Sequence, residues 1–437
     1  VKRAGDKTPA GTESECNMEN VYEYAKEAYA KQGIDTDAVL DKLAGKAISV
    51  NCWQGDDVVG FDQGDDNAAS GGIMTTGNYP GRARNFDELT ADFAYAASLI
   101  PGAKRVNLHA SYAVFTDENP WHDRDQLTYE DFRPWVEWAR EKGFGIDFNP
   151  TFFSHPRVNH GLTVSSPDEE TREFWIRHGI CCRQIAEKIG EELDDEVLLN
   201  FWIPDGLKDT PTDRYGLRKN LLDALDRIYA EPAPHVVDAF EQKVFGLGVE
   251  GFTVGDQELY EGWAARHGGS ACVLLDTGHF NPTENVADKL SALALFFDRL
   301  PLHVTRPMHW DSDHVTLFND DLRELAGEIV RVPGAWGKSM IGMDFFDAAI
   351  NRIGAWATGM RSMEKALLFQ LLQPNDELKE LQNTFQDSRK MLVLEQFKCL
   401  PFGDVWDEYC RREGVPLEGE LWDKVKSYED DVLSARA

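Results

Sequence analysis

The chain contains few basic residues for its length. It has 45 lysines and arginines against 76 aspartates and glutamates, a formal net charge of −31 over 437 residues. Such a charge repels the phosphate backbone of nucleic acids and anionic membrane surfaces, so neither is expected as a partner. Because the acidic residues are spread along the chain, we interpret them as an adaptation to high salt. The alternative is an ordinary acidic protein.

Cysteines and long apolar runs are also scarce. The seven cysteines are scattered and odd in number, which fits neither a disulfide framework nor a zinc ribbon, and we expect reduced thiols in a cytoplasmic protein. No apolar run reaches the roughly 18–20 residues of a membrane span. The polar residues 1–17 lack the apolar centre of a signal peptide, and we expect them to form a disordered extension.

The sequence does contain a regular alternation of strand-like and helical segments. Eight strand-like runs are predicted, at 47–53, 105–112, 145–152, 199–203, 237–245, 271–276, 300–305 and 339–345. Several are almost continuously apolar, as parallel strands covered on both faces are. Eight strand–helix units favour a (β/α)8 TIM barrel over an open doubly wound sheet. No glycine-rich phosphate loop follows the first strand, which removes the usual reason to prefer a Rossmann fold.

The domain organisation follows from these segments. A helical pattern at 21–43 precedes the barrel, and the pattern is helical from 347 to the end. We therefore predict a barrel domain with its N-terminal helix over 18–354, and a helical C-terminal extension over 355–437 that wraps around the barrel or a neighbouring subunit. The glycine-rich polar stretch 60–72 is predicted to be a loop.

Polar residues cluster at the ends of the predicted strands in the second half of the chain. They are Glu241 and Lys243, Asp276 and His279, His303, Asp311 and Asp313, and Asp344. Catalytic residues of a (β/α)8 barrel project from these strand ends, and neighbouring carboxylates there would repel one another by several kcal/mol without a cation. Oxygen ligands with imidazoles and no thiolate suit Mn2+, Mg2+ or Co2+, with Zn2+ as an alternative. The pattern predicts a two-metal site.

Each of these signals also has a structural interpretation. Asp276 and His279 could form a buried polar turn, and Asp311 with Asp313 a hydrated loop. His303 could be a core histidine, and Glu241 with Lys243 a structural ion pair. Their joint placement on four consecutive strand ends favours the metal site.

Aromatic and polar residues end the strands of the first half. Trp53, His109 and Trp202 stand at the ends of the first, second and fourth predicted strands. Aromatic walls beside polar groups suit a sugar, whose C–H faces stack on rings while its hydroxyls form hydrogen bonds. The alternative for each ring is core packing.

Nine blocks of this sequence resemble the L-rhamnose isomerase family, and the likeness runs from about residue 21 to the C-terminus. The blocks are NCWQGDD (51–57), TGNYPG (76–81), DFNP (147–150), FSHP (153–156), WIPDG (202–206), DTGHF (276–280), HVTRP (303–307), WDSDH (310–314) and DFFDAAINRI (344–353). The polar front extension and the strong acidity depart from the family pattern. Neither departure touches the candidate site.

The resemblance implies a metal-dependent aldose–ketose isomerase with two Mn2+ or related ions per subunit. Glu241, Asp276, His303 and Asp344 would hold a structural metal. His279, Asp311 and Asp313 would hold a catalytic metal, with Asp276 shared. The family also implies a cytoplasmic homotetramer, in which the helical extension would contact neighbouring subunits.

The reaction implied is the interconversion of L-rhamnose and L-rhamnulose. His109, Lys243 and Asp344 are the candidate catalytic residues: His109 would assist ring opening, and Lys243 would hydrogen-bond the C1 oxygen. Hydrogen would move from C2 to C1 as hydride, the alternative being an enediol formed by a carboxylate base. Candidate substrate-binding residues are Trp53, His109, Trp202, Lys243 and Phe345. L-Mannose, L-lyxose and D-allose are further candidate sugars.

The sequence leaves two other functions open. One is a metal-dependent phosphoesterase or endonuclease on the same barrel, which the acidic surface disfavours. The other is a sugar-binding protein without activity, which would need the aromatic pocket but not seven ligands.

Overall fold

Eight parallel strands close into a barrel in the computed structural model, which describes residues 12–62, 73–268 and 271–436. With the two strands of a separate ribbon, the described residues form β1 (Ile48–Asn51), β2 (Lys104–His109), β3 (Gly145–Asn149), β4 (Val197–Trp202), β5 (Gly206–Leu207), β6 (Val236–Glu241), β7 (Phe252–Thr253), β8 (Ala271–Asp276), β9 (Leu300–Val304) and β10 (Ser339–Met343). Around the barrel the order is β1-β2-β3-β4-β6-β8-β9-β10, while β5 and β7 pair as a separate antiparallel ribbon. The predicted TIM barrel is confirmed.

Helices surround the barrel and form the C-terminal region. They are α1 (Thr12–Ala30), α2 (Thr36–Ala44), α3 (Phe86–Ala97), α4 (Arg133–Lys142), α5 (Glu169–Leu193), α6 (Arg214–Ile228), α7 (Gln257–Arg266), α8 (Val286–Leu293), α9 (Asp320–Arg331), α10 (Ala335–Lys338), α11 (Arg352–Leu371), α12 (Asn375–Asn383), α13 (Asp387–Phe397), α14 (Phe402–Arg412) and α15 (Glu418–Asp431). The helical segment predicted at 21–43 is two helices, separated by a turn in which Gly33 has φ +80°. Glycine adopts this left-handed conformation without steric cost.

Most of the predicted strands extend past the observed ones at their carboxyl ends. The first ends at Asn51 and the second at His109, and a short 3-10 turn follows each. The residues of these turns stay buried, Trp53 at 2% and Tyr112 at 1% exposure. A run of apolar residues indicates that a segment is buried, whether or not its backbone pairs in a sheet. The predicted strands therefore include the buried turns that follow the observed strands and cover the barrel mouth.

The helical extension packs on the barrel that precedes it. Along α11 most side chains are buried, and Trp356 donates a hydrogen bond to the carbonyl of Asn51 at the end of β1 (2.8 Å). In α15, Tyr428 donates to Asp92 of α3 (2.7 Å). The predicted boundary between 354 and 355 falls inside α11, because this helix belongs to the barrel wall and to the extension alike.

The N-terminal boundary also differs from the prediction. Helix α1 begins at Thr12, so part of the extension assigned to 1–17 is helical, and residues 1–11 lie outside the described part. A nucleated helix gains one backbone hydrogen bond with each added residue, so a polar sequence can extend it. Most of the predicted loop 60–72 also lies outside the described residues. Among the helices of the described part, none combines the length and hydropathy of a bilayer span.

Candidate metal centre

Four ligand-type side chains meet at the carboxyl ends of consecutive barrel strands. Glu241 ends β6, Asp276 ends β8, His303 lies in β9 and Asp344 follows β10. One ligand atom from each lies within 4.8 Å of all the others. The parallel register sets Asp276 directly beside His303. Strand order thus assembles the four residues that the family resemblance assigns to the structural metal.

The donor atoms of this group are incompletely hydrogen-bonded. Oδ2 of Asp276 and Nδ1 of His303 are buried and have no hydrogen-bond partner. Nδ1 of His303 lies 3.1 Å from Oε2 of Glu241 and 3.6 Å from Oδ2 of Asp344, without hydrogen-bond alignment. Buried polar atoms without partners call for an explanation such as an ion site. Three carboxylates and one imidazole are a donor set that fits a divalent cation.

The charges of this group are unbalanced without a cation. Burial, together with the carboxylates of Glu241, Asp344 and Asp311, raises the pKa of Asp276 well above its ordinary value. Burial also opposes ionisation of Glu241, but the adjacent imidazoles of His303 and His279 hold the pKa of this carboxyl below its usual range. A divalent cation would stabilise all of these carboxylates in their ionised form.

The second predicted ligand set is arranged around a lysine. Nε2 of His279 lies 3.3 Å from Oδ2 of Asp311, and Nζ of Lys243 contacts both Asp311 and His279, the latter at 3.2 Å. Asp313 lines a cavity together with Lys243, His279 and members of the first group, and its buried Oδ1 has no hydrogen-bond partner. Within the described residues these three ligands do not form a second group as close as the first. The ammonium of Lys243 supplies the positive charge between them.

Aromatic rings also line the cavity. The ring of His109 lies edge-on to Trp53, with centroids 4.9 Å apart, and to Phe153 at 5.5 Å. Phe153 contacts Trp202 at 5.2 Å, and Trp202 stacks on the ring of His279 at 6.1 Å. The cavity therefore has a polar, ligand-bearing side and an apolar, aromatic side. Such a surface suits a sugar ring or an open-chain polyol.

His109 is a neutral imidazole in this setting. Burial lowers its pKa to about 3, and Nδ1 lies 3.2 Å from Oγ1 of Thr151. That hydroxyl oxygen also accepts the backbone N–H of Ser111 at 3.1 Å. A neutral imidazole can accept a proton at one nitrogen and donate one at the other, which is what transfer between two sugar oxygens requires.

Phe345 is the one predicted substrate-binding residue that does not line the cavity. Its ring is fully buried and contacts Gly359 of α11, where an added Cβ would clash with it. Phe346 lines the cavity instead, together with Asp344. Successive side chains of an extended segment point to opposite sides, so 344 and 346 share the inner side and 345 faces outward. The structure therefore places Phe346, and not Phe345, at the cavity.

Three asparagines of the site were missed. Asn149 and Asn200 line the cavity, and Nδ2 of Asn200 donates to Oε2 of Glu241 at 2.5 Å. Nδ2 of Asn107 lies 3.4 Å from Nε2 of His303. Strand periodicity could have predicted Asn107, because it stands two residues before His109 in β2 and its side chain therefore points to the same inward face.

Comparison with known proteins identifies the family of this chain. The family model described as L-rhamnose isomerase matches residues 16–436. The L-rhamnose isomerase of Mannheimia succiniciproducens is 49% identical over 421 residues, 96% of this chain and 99% of the relative. That of Listeria monocytogenes is 48% identical over 430 residues, covering 98% and 100%. An L-rhamnose isomerase of Salmonella paratyphi B is 46% identical over 423 residues, covering 96% and 99%. The chain therefore belongs to the L-rhamnose isomerase family and is an enzyme of the isomerase class.

Proposed function

We propose that this enzyme interconverts L-rhamnose and L-rhamnulose with two divalent cations per subunit, Mn2+ being the preferred ion. The observation that carries the proposal is the group of four ligand atoms within 4.8 Å of one another, at a cavity that aromatic rings also line. The relatives named above support the substrate. L-Mannose, L-lyxose and D-allose are secondary substrates to test.

The ligand assignment divides the polar side of the cavity. Glu241, Asp276, His303 and Asp344 would hold the structural ion. His279, Asp311 and Asp313 would hold the catalytic ion, with Asp276 shared. When bound, such cations polarise a carbonyl and stabilise negative charge on an adjacent oxygen.

The protein's own residues supply proton handling and shape. His109, neutral and hydrogen-bonded at Nδ1, would move a proton between the ring and C1 oxygens during ring opening. Lys243 would turn its ammonium from Asp311 to the C1 oxygen of the sugar. The rings of Trp53 and Trp202 would exclude water, which favours a C2-to-C1 hydride shift. Asp344, the least buried of the four clustered ligands, is the candidate base for an enediol route.

Metal removal and restoration tests the proposal. We expect dialysis against EDTA to abolish ketose formation from L-rhamnose and added Mn2+ to restore it. Cleavage of phosphate esters on restoration would select the hydrolase alternative, and sugar binding without conversion would select the binding protein. Turnover in D2O distinguishes the routes, because a hydride shift leaves C1 free of solvent deuterium and an enediol incorporates it.

Assembly and location belong to the same proposal. We propose a cytoplasmic homotetramer in which the extension contributes subunit contacts. The exposed apolar side chains of the α12–α13 region, Phe385 at 88%, Met391 at 65% and Leu392 at 71% exposure, support such a contact. Light scattering with the triple variant Phe385→Ser, Met391→Ser, Leu392→Ser should report a smaller particle. An unchanged mass would count against this surface.

A further inference from the structure

The segment after the first barrel strand contains a conformation that its sequence disfavours. Asp57 and Val58 both adopt the left-handed region, with φ +59° and +62°. This conformation is uncommon for residues other than glycine, and for a β-branched residue such as valine it is an outlier. Left-handed residues of this kind cost of order 1–3 kcal/mol and persist only where the surroundings hold them.

Val58 is part of the candidate sugar pocket. It lines the cavity together with Trp53 and the ligands Glu241 and Asp344. Its backbone N–H donates to the carbonyl of Trp53 at 3.0 Å, which closes a tight turn between the two residues. The strained residue therefore contributes to the cavity wall and is hydrogen-bonded to an aromatic residue of the same wall.

A buried arginine of α11 holds this turn from outside the pocket. The side chain of Arg352 is 2% exposed, and its Nε and Nη2 donate to the two carboxylate oxygens of Asp57 at 2.9 and 2.6 Å. Its Nη1 donates to the carbonyls of Tyr79 and Pro80 at 3.0 and 3.1 Å. A planar guanidinium can make this forked contact and still reach two carbonyls, which a lysine cannot. Arg352 thus fixes two segments at once.

We infer that Arg352 is a positioning residue for the sugar pocket, holding Asp57 so that Val58 stays in its left-handed conformation against the cavity. This inference rests on the proposed function, since it assigns the pocket to the sugar. Arg352 does not line the cavity. Its loss should therefore weaken sugar binding and leave the chemical step nearly intact.

The kinetic test uses Arg352→Lys and Asp57→Asn. Each should raise KM for L-rhamnose about tenfold, which corresponds to about 1.4 kcal/mol. The value of kcat should change less than about threefold, and Mn2+ affinity should not change. In the Asp57→Asn background, Arg352→Lys should raise KM no further, because both substitutions remove the Arg352–Asp57 contact that acts on Val58. An unchanged KM in both single variants would overturn the inference.

Arg361 offers a matched control on the same helix. It is equally buried, and it also binds one carboxylate, Glu418, and two carbonyls, those of Leu99 and Pro416. These partners lie away from the pocket, so Arg361→Lys should lower Tm and leave KM unchanged. A rise in KM of the same size in this control would assign the effect to general destabilisation and refute the positioning role.

A double-mutant cycle measured by Tm tests the strained conformation of Val58 without any sugar. Glycine adopts the left-handed conformation at no steric cost, so in a Val58→Gly background the Tm loss caused by Arg352→Lys should shrink. If the wild type makes no ketose, the proposed function fails and this cycle still decides whether Arg352 holds the turn. An undiminished Tm loss in the glycine background would refute that.

Discussion

Asp276 shows what an acidic residue costs at the end of a buried strand. Its side chain is fully buried, one oxygen has no hydrogen-bond partner, and burial together with the nearby carboxylates raises its pKa. Such a group is destabilising without a bound cation, and functional sites commonly lower the stability of a protein in this way. His109, which lines the same cavity, is by contrast neutral, and its Nδ1 lies 3.2 Å from Oγ1 of Thr151.

Asp276→Asn should stabilise the metal-free enzyme. Replacing a carboxyl that is buried among other carboxylates by a neutral amide should raise Tm by about 2 °C after EDTA treatment, and the Tm gain on adding Mn2+ should disappear. Differential scanning calorimetry with and without Mn2+ measures both. Asp238→Asn is the control, because this buried carboxylate is paired with Arg183 at 3.0 Å and its loss should lower Tm. A lower metal-free Tm for Asp276→Asn would contradict the repulsion.

His109→Gln should reduce turnover without unfolding the enzyme. Loss of a general acid–base group lowers kcat by about 10²- to 10⁴-fold. Ketose formation from L-rhamnose measures the effect, with Tm and Mn2+ content expected to stay at wild-type values. His235→Gln, at the surface beside Glu187, should keep full activity. Activity of His109→Gln within threefold of the wild type would remove His109 from the mechanism.

The elements decide which side chains share the cavity. The side chains after β10 alternate in direction, so Asp344 and Phe346 face inward while Phe345 packs on Gly359 of α11.

The helical C-terminal extension also reaches the barrel mouth. Glu429 of α15 accepts hydrogen bonds from Tyr79 (2.5 Å) and Asn351 (2.7 Å). These contacts tie the last long helix to segments beside the pocket.

Glu429→Gln should make stability less dependent on acid pH. The hydrogen bond from Tyr79, with those from Lys426 and Asn351, lowers the pKa of Glu429 from 4.5 to about 2. A depressed carboxyl pKa contributes stability above the unfolded value, and this contribution is lost as pH falls through the folded value. The Tm of Glu429→Gln should therefore lie below the wild type at pH 7, and the gap should close between pH 4.5 and 2.

The control for this prediction lies on the same helix. Asp423 is exposed on α15, and Asp423→Asn should follow the wild-type Tm at every pH. A gap for Glu429→Gln that stays constant from pH 7 to 2 would mean that packing, and not the ionised carboxylate, stabilises this contact.

At the scale of the whole molecule, charge and closure are the dominant features. Within the described residues, closure leaves the eight-stranded barrel sheet without a free edge and concentrates its polar strand ends at one mouth. A net charge of −31 surrounds this core. Self-repulsion of this kind destabilises a compact state and is relieved by salt. The high-salt interpretation of the composition stays a prediction.

Stability should rise with salt. Between 0.1 and 1 M KCl the screening length falls from about 10 to about 3 Å, so repulsion between surface carboxylates weakens and Tm should increase. A triple variant with amides at the exposed Glu23, Glu27 and Asp41 should gain less from KCl than the wild type. An equal gain in both proteins would indicate a general salt effect and not relief of charge repulsion.

The barrel could be predicted from the order of residues alone, because eight apolar runs separated by amphipathic helices leave few other ways to bury both faces of a parallel sheet. The position of Glu241, Asp276 and His303 at strand ends could also be predicted, since strand periodicity is local. The contacts between distant segments could not. Lys243 contacts Asp311, which lies 68 positions away in the chain, and Arg352 donates hydrogen bonds to Asp57, which lies 295 positions away. Local periodicity carries no information about such pairs, and only the closed barrel with α11 against its wall brings them into contact.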